Sequence, residues 1–141
     1  MNIDFILVSP AEPGNVGAAA RALKTCGFQQ LIIINSKLHQ DKKAHILAHG
    51  SQEILEKAIY YDTFEALPKD YDYLIATTSK ARNVKQKYIS SEDIFDFLNE
   101  REKGIKKIGI VFGNEESGLS NEHVLACDIV PKSPLLPISL L

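Results

Sequence analysis

FGNEESGLSNEHV, residues Phe112 to Val124, decides how this chain folds. It follows Ile108 to Val111, an apolar, β-branched run that reads as the end of a buried strand. The backbone turns on Gly113, presents carboxylates at Glu115 and Glu116, turns again on Gly118, and enters a polar helix start at Ser120 and Asn121. A loop at the carboxyl end of a strand is where open α/β sheets bind their ligands.

Working outward, Ile3 to Val8 and Leu31 to Ile34 are short apolar runs closed by Ser9-Pro10 and Asn35-Ser36, and both read as buried strands. Between them Val16, Ala19, Ala20, Leu23 and Cys26 recur at helical spacing, and Gly27 suits a helix stop. This is a βαβ unit with parallel strands. The pattern from Asp41 to Ala58 predicts two helices broken at Gly50-Ser51, with Ser51 as N-cap of the second. Ile59 to Tyr61 predicts a short strand and Thr63 to Leu67 a single helical turn. Tyr73 to Ala76, Lys107 to Phe112 and Asp128 to Val130 predict further strands, and Ser91 to Glu102 an amphipathic helix. The alternation predicts an α/β fold: one domain over residues 1–141, with an open, mostly parallel sheet covered by helices on both faces.

Composition narrows the function classes. With 45% hydrophobic and 24% charged residues, the chain has enough apolar content for one core. A net charge of −2 means that any polyanion site needs a local basic cluster, and Lys80, Arg82, Lys85 and Lys87 supply one after the Tyr73–Ala76 strand. Two cysteines, Cys26 and Cys127, are too few for a disulfide framework and read as reduced thiols of a cytoplasmic protein. No run reaches the roughly 18 apolar residues of a membrane span, and the start lacks the pattern of a signal peptide.

Several motifs have a plain and a functional reading. Pro13-Gly14-Asn15-Val16-Gly17 is a glycine turn opening a helix, either a simple connection or a place offering backbone N–H groups to an anion. It has neither the G-x-G-x-x-G spacing nor the Gly-Lys-Ser/Thr of a P-loop. Arg21 follows among alanines, so a long cation stands with little around it; a solvated surface arginine is the plain alternative. Thr77, Thr78 and Ser79 put hydroxyls at a strand end, with Lys80 and Arg82 next to them for phosphates. His45 and His49 have i, i+4 spacing but lack the H-E-x-x-H pattern, so no metal site is expected.

Taken together, these residues resemble the SpoU/TrmH branch of the knotted SPOUT-class RNA 2'-O-ribose methyltransferases. The first matching motif is LVSPAEPGNVGAAARALKTCGF, with Asn15 and Arg21 at its signature positions; the second is IGIVFGNEESGLSNEHVLACD, with Glu115 at the signature acid. The wording is most similar to the TrmJ-type enzymes of the tRNA anticodon loop. The resemblance implies S-adenosylmethionine as cofactor, RNA (tRNA first, ribosomal RNA as the alternative) as substrate, a homodimer, and no DNA or membrane partner. It implies a cofactor site of Thr77, Thr78, Gly113, Gly118, Leu119, Val130 and Ser139, RNA contacts from Arg21, Lys80 and Arg82, and catalytic roles for Arg21, Asn15 and Glu115. It also implies a trefoil knot at the carboxyl end of the sheet. Relatives continue through Ser-Leu-Asn into a final helix, whereas Ser139-Leu140-Leu141 stand here, so either a truncated chain with an incomplete knot or a fold that closes differently is expected. A noncatalytic RNA-binding module of this fold is the competing reading. A flavodoxin-like or Rossmann-like small-molecule binder is a third, without support from the glycine spacing.

Overall fold

The structure, a computed structural model, describes residues 2–25, 30–77, 88–89, 104–128 and 130–131. The elements are β1 (Asn2–Val8), α1 (Pro13–Thr25), β2 (Gln30–Ile34), α2 (Lys42–Leu47), α3 (Gln52–Glu56), β3 (Ile59–Tyr61), β4 (Tyr73–Ala76), β5 (Tyr88–Ile89), β6 (Lys107–Phe112), α4 (Asn121–Leu125) and β7 (Val130–Pro131). Two 3-10 turns, Leu38–Gln40 and Phe64–Ala66, lie between them. Five strands form a sheet in the order β3-β2-β1-β6-β4, and every neighbouring pair is parallel.

The pleat divides the core. Phe5 and Leu7 of β1 and Leu31 and Ile33 of β2 face α1, α2 and α3, meeting Val16, Ala19, Ala20, Leu23, Ala44, Ala48, Ile54 and Leu55. Ile6, Val8, Ile32 and Ile34 point the other way, onto Phe64, Leu67, Leu119, Val124 and Cys127. Both faces are therefore covered, which is why these strands read as continuous apolar runs. Each fully buried Leu or Ile contributes about 1.5–3 kcal/mol of transfer free energy. The Cys127 thiol lies in the second layer, 3% exposed, and burial followed by the Asp128 charge pushes its pKa up to about 12.

Three local expectations change. Gly14 and Gly17 form no turn but lie inside α1, where Gly17 permits close helix packing: a Cβ there would come within 2.6 Å of the Ala44 carbonyl oxygen. Ser51 precedes α3, but its side chain makes no capping bond. The strand expected over Asp128 to Val130 is β7, at Val130–Pro131, paired in parallel with β5 in a separate two-stranded sheet. Asp128 instead fastens β4, accepting from Leu74 N–H at 2.7 Å through its carboxylate and donating its own N–H to the Leu74 carbonyl at 2.8 Å. The helix end at Gly27, the helix over Ser91 to Glu102 and the knot-forming terminus fall outside the described residues.

Gly109 shows how one missing side chain shapes the sheet. It pairs with Asp4 in the β1–β6 register, and a Cβ would meet Ile6 Cδ1 at 2.7 Å, Leu74 Cδ2 at 2.8 Å and Tyr71 Cε1 at 3.2 Å. The space lets Tyr71 lie across the strands and donate its hydroxyl to Asp4 Oδ2 at 2.7 Å. The pair satisfies a carboxylate that is only 6% exposed.

Candidate functional site

Strand order locates the site. The chain leaves the centre of the sheet from β1 toward β2 and β3, then crosses to fill β4 and β6 on the other side. The switch point lies between β1 and β6, where loops 9–12 and 113–120 leave adjacent carboxyl ends, the place where open α/β sheets bind ligands. The two sequence motifs supply these two loops.

Glu115 ties them together. Its carboxylate accepts the Ala11 N–H at 2.8 Å and the Glu12 N–H at 3.3 Å, just ahead of α1. The carboxylate beside the start of this helix is thus the chain's own, of the sign the helix dipole favours. Asn114 adds a second tie, donating its amide to the Ser9 carbonyl at 3.0 Å while its Oδ1 accepts from Glu116 and Ser117 N–H at 2.9 and 3.1 Å. Gly118 N–H closes the loop on the Asn114 carbonyl at 2.8 Å. Both glutamates are exposed, and Glu115 differs from Glu116 in the bonds its carboxylate accepts from Ala11 and Glu12.

The two glycines serve different ends. Gly118 has φ of 69°, which favours glycine. Gly113 lets the loop fold on itself: a Cβ would sit 2.3 Å from both Gly118 C and Leu119 N, a contact no side chain survives. Leu119 is 1% exposed and anchors the loop in the core, so only its backbone faces the rim.

Thr77 stands at the end of β4, beside β6. Its N–H and its hydroxyl both donate to the Val111 carbonyl at 2.9 Å, fastening the neighbouring strand end. Asn15 is half-buried in the first turn of α1, its N–H bonded to the Glu12 carbonyl at 3.1 Å. Arg21 is exposed, eight residues after Pro13 and so about 12 Å along a helix that leads away from the carboxyl rim. The structure thus places Asn15, Thr77, Gly113, Glu115, Gly118 and Leu119 in or just after the segments that leave the carboxyl ends of β1, β4 and β6, with Arg21 set apart down α1. Val130 lies in β7, while Thr78, Lys80, Arg82 and Ser139 fall outside the described residues.

His39, His45 and His123 are engaged by packing or hydrogen bonding, while His49 is exposed. His45 Nε2 lies 3.0 Å from the His39 carbonyl, and His49 adopts φ of 42° beyond the end of α2, so the two do not share a helix face. His39 stacks on Tyr60, and burial, then the charges of His45 and Lys37, hold its pKa below the ordinary value. His123 stacks on Phe64 at 4.7 Å. No group of three or more potential ligands among the described residues forms a metal site. A groove of about 380 Å³ beside Phe64, Tyr71, Leu74 and His123 includes none of the predicted site residues.

The description SpoU rRNA Methylase family matches residues 2–136. The chain belongs to this family. It is 35% identical over 136 residues to an Escherichia coli K12 protein named uncharacterized tRNA/rRNA methyltransferase LasT, a match covering 96% of this chain and 60% of that one. It is 39% identical over 142 residues to the tRNA (cytidine-2'-O-)-methyltransferase TrmJ of Methanocaldococcus jannaschii, covering 96% of this chain and 60% of the relative. The solved structure of TrmJ from Z. mobilis ZM4 superimposes with a TM-score of 0.86, at 25% identity, over 99% of this chain and 65% of that one. The SpoU-family chain thus spans about 60% of the length of the curated relatives it matches.

Sequence reading missed Ser9, Asn35 and Asn114. A signal existed for two of them. Asparagine tolerates left-handed backbone at a strand end, as Asn35 does, and an Asn two residues before a backbone N–H forms an Asx turn, as Asn114 does. That Ser9 would bond both was not legible, because its partners lie 26 and 105 positions away.

Proposed function

We propose that this SpoU-family chain carries out S-adenosylmethionine-dependent 2'-O-ribose methylation of RNA, with tRNA as substrate, as a cytoplasmic homodimer. The observation that carries the reading is the Glu115 clamp, which joins both family motifs at the sheet's switch point. Relatives named for tRNA 2'-O-methylation support the substrate class. No helix among the described residues is long and apolar enough to cross a membrane.

The rim suits a small ligand of this kind: Gly113, Gly118 and Thr77 are half-buried there, with the Gly118 N–H and the Thr77 hydroxyl donated to the Asn114 and Val111 carbonyls so that the loops keep their shape. When bound, the sulfonium supplies an electrophilic methyl group. Glu115 and Asn114 tie together the loops that would hold the group, and Asn15 lies in the first turn of the helix that leads to Arg21. The role proposed for Arg21 is to hold an RNA phosphate with its planar fork. Its exposure and distance from the rim fit contact with a bound RNA backbone.

The test is methyl transfer to tRNA, with the product nucleosides analysed for 2'-O-methylation. Arg21→Lys is expected to lose most turnover, because the planar fork is lost. Near-normal turnover removes Arg21 from the mechanism. Absence of S-adenosylhomocysteine binding by calorimetry, with salt-dependent tRNA binding retained, overturns the enzyme reading in favour of an RNA-binding module.

A further inference from the structure

We propose that Asn35, at the end of β2, is a positioning residue for methyl transfer, acting through Ser9 on the loop that Glu115 holds. The proposal rests on the functional reading above and adds a residue outside both family motifs. Ser9 and Asn35 end adjacent strands, and both have left-handed backbones, with φ of 49° and 56°. This backbone is disfavoured for residues other than glycine, less so for asparagine than for serine. Ser9 also precedes Pro10, which favours extended backbone at the residue before it.

Bonds from three strand ends hold this conformation. Ser9 N–H donates to the Ile34 carbonyl at 2.8 Å, and Asn35 N–H to the Tyr61 carbonyl at 3.0 Å, extending the ladder beyond the strands. The Asn35 amide donates to Ser9 Oγ at 3.0 Å, and the Asn114 amide to the Ser9 carbonyl at 3.0 Å. Ser9 is thus gripped from β2 on one side and from the β6 loop on the other. Two residues further on come the Ala11 and Glu12 amides that Glu115 binds, and then α1. A turn needed only for chain reversal is served as well or better by glycine. Ser9 and Asn35 instead bear the strain and add a side-chain bond across it, as residues at functional rims do.

Glycine variants separate the two roles. Asn35→Gly accepts the observed φ without strain and removes only the bond to Ser9 Oγ. The expected result, in the full protein, is unfolding stability equal to or above wild type. The kcat of methyl transfer falls about tenfold, in the range a misplaced active-site loop produces, while the KM for S-adenosylmethionine is unchanged. Asn35→Asp, whose oxygen accepts from the Ser9 hydroxyl, restores most of the loss. Ser9→Gly reproduces the Asn35→Gly effect, and the double variant is no worse than either single one. His49→Gly, which relieves a φ of 42° at an exposed position off the rim, stabilises without touching kcat.

Hydrogen exchange gives a readout that does not depend on turnover: protection of the Ala11 and Glu12 amides drops in Asn35→Gly. A stable Asn35→Gly protein with wild-type kcat and wild-type protection overturns the proposal. If wild-type protein transfers no methyl group, the functional reading fails. In that case unchanged protection of those two amides still overturns the link from Asn35 to the loop, and lost protection upholds it.

Discussion

Replacing Gly17 by alanine sets two known effects against each other, and the structure decides the sign. In a helix interior, alanine is favoured over glycine by about 0.8–1.0 kcal/mol. Against this, a Cβ at Gly17 would lie 2.6 Å from the Ala44 carbonyl oxygen and 3.1 Å from Ala48 N and Leu47 C, all backbone atoms of α2 and its end. No rotamer change relieves that contact. Reaching the 3.4 Å of ordinary van der Waals contact requires about 0.8 Å of separation between α1 and α2. Overpacking of this kind costs about 1–3 kcal/mol, and a rigid backbone obstacle places it toward the upper end. The expected net loss is about 1–2 kcal/mol, or roughly 3–6 °C in Tm for a chain of this size. Gly14 is the internal control. Its nearest neighbour is Leu47 Cδ1 at 3.3 Å, the end of a side chain that can rotate away, so Gly14→Ala should be neutral or stabilise by about 0.5 kcal/mol. Equilibrium urea denaturation of both variants measures the difference. If Gly17→Ala matches Gly14→Ala, or exceeds wild type, the close approach of α1 and α2 is not what glycine supplies there.

The remaining predictions concern pH. Burial, then the hydrogen bond to Asp4, hold the Tyr71 phenol well above its ordinary range. Because the folded-state pKa is the higher one, this stabilisation is whole below about pH 10 and declines as pH rises past it. Tyr71→Phe should remove that alkaline decline and cost about 1–3 kcal/mol at neutral pH by leaving the buried Asp4 without its hydroxyl donor; an alkaline limb identical to wild type in thermal scans refutes it. The Asp72 carboxylate is held below its ordinary pKa first by the Lys106 N–H and then by the Lys107 N–H, at 2.7 and 2.9 Å. With the folded-state pKa the lower one, this contribution is present above about pH 4 and is lost as pH falls. Asp72→Asn should flatten the acid limb of stability, and an acid midpoint that does not move would count against the role.

The periodicity of apolar residues made most of the sheet legible. β1, β2, β4 and β6 are apolar runs, those of β1 and β2 buried on both faces, and such runs need nothing distant to be recognised. Glycine was less legible. Gly14 and Gly17 looked like a turn because local spacing does not distinguish a flexible bend from a helix surface against which another helix packs. Asp128 likewise looked like part of a strand, because its carboxylate partner Leu74 is 54 positions away.

By itself the chain determined the order of strands and helices, the two loops that meet at the switch point, and the family, since all of these follow from local pattern and motif wording. Only tertiary structure decided what those loops do to one another. Glu115 binds amides 103 and 104 positions away, and Ser9 is held by residues from two other strand ends. Hydrogen bonds depend on distance in space, and parallel pairing of β1 with β6 is what brings residues a hundred positions apart to within 3 Å.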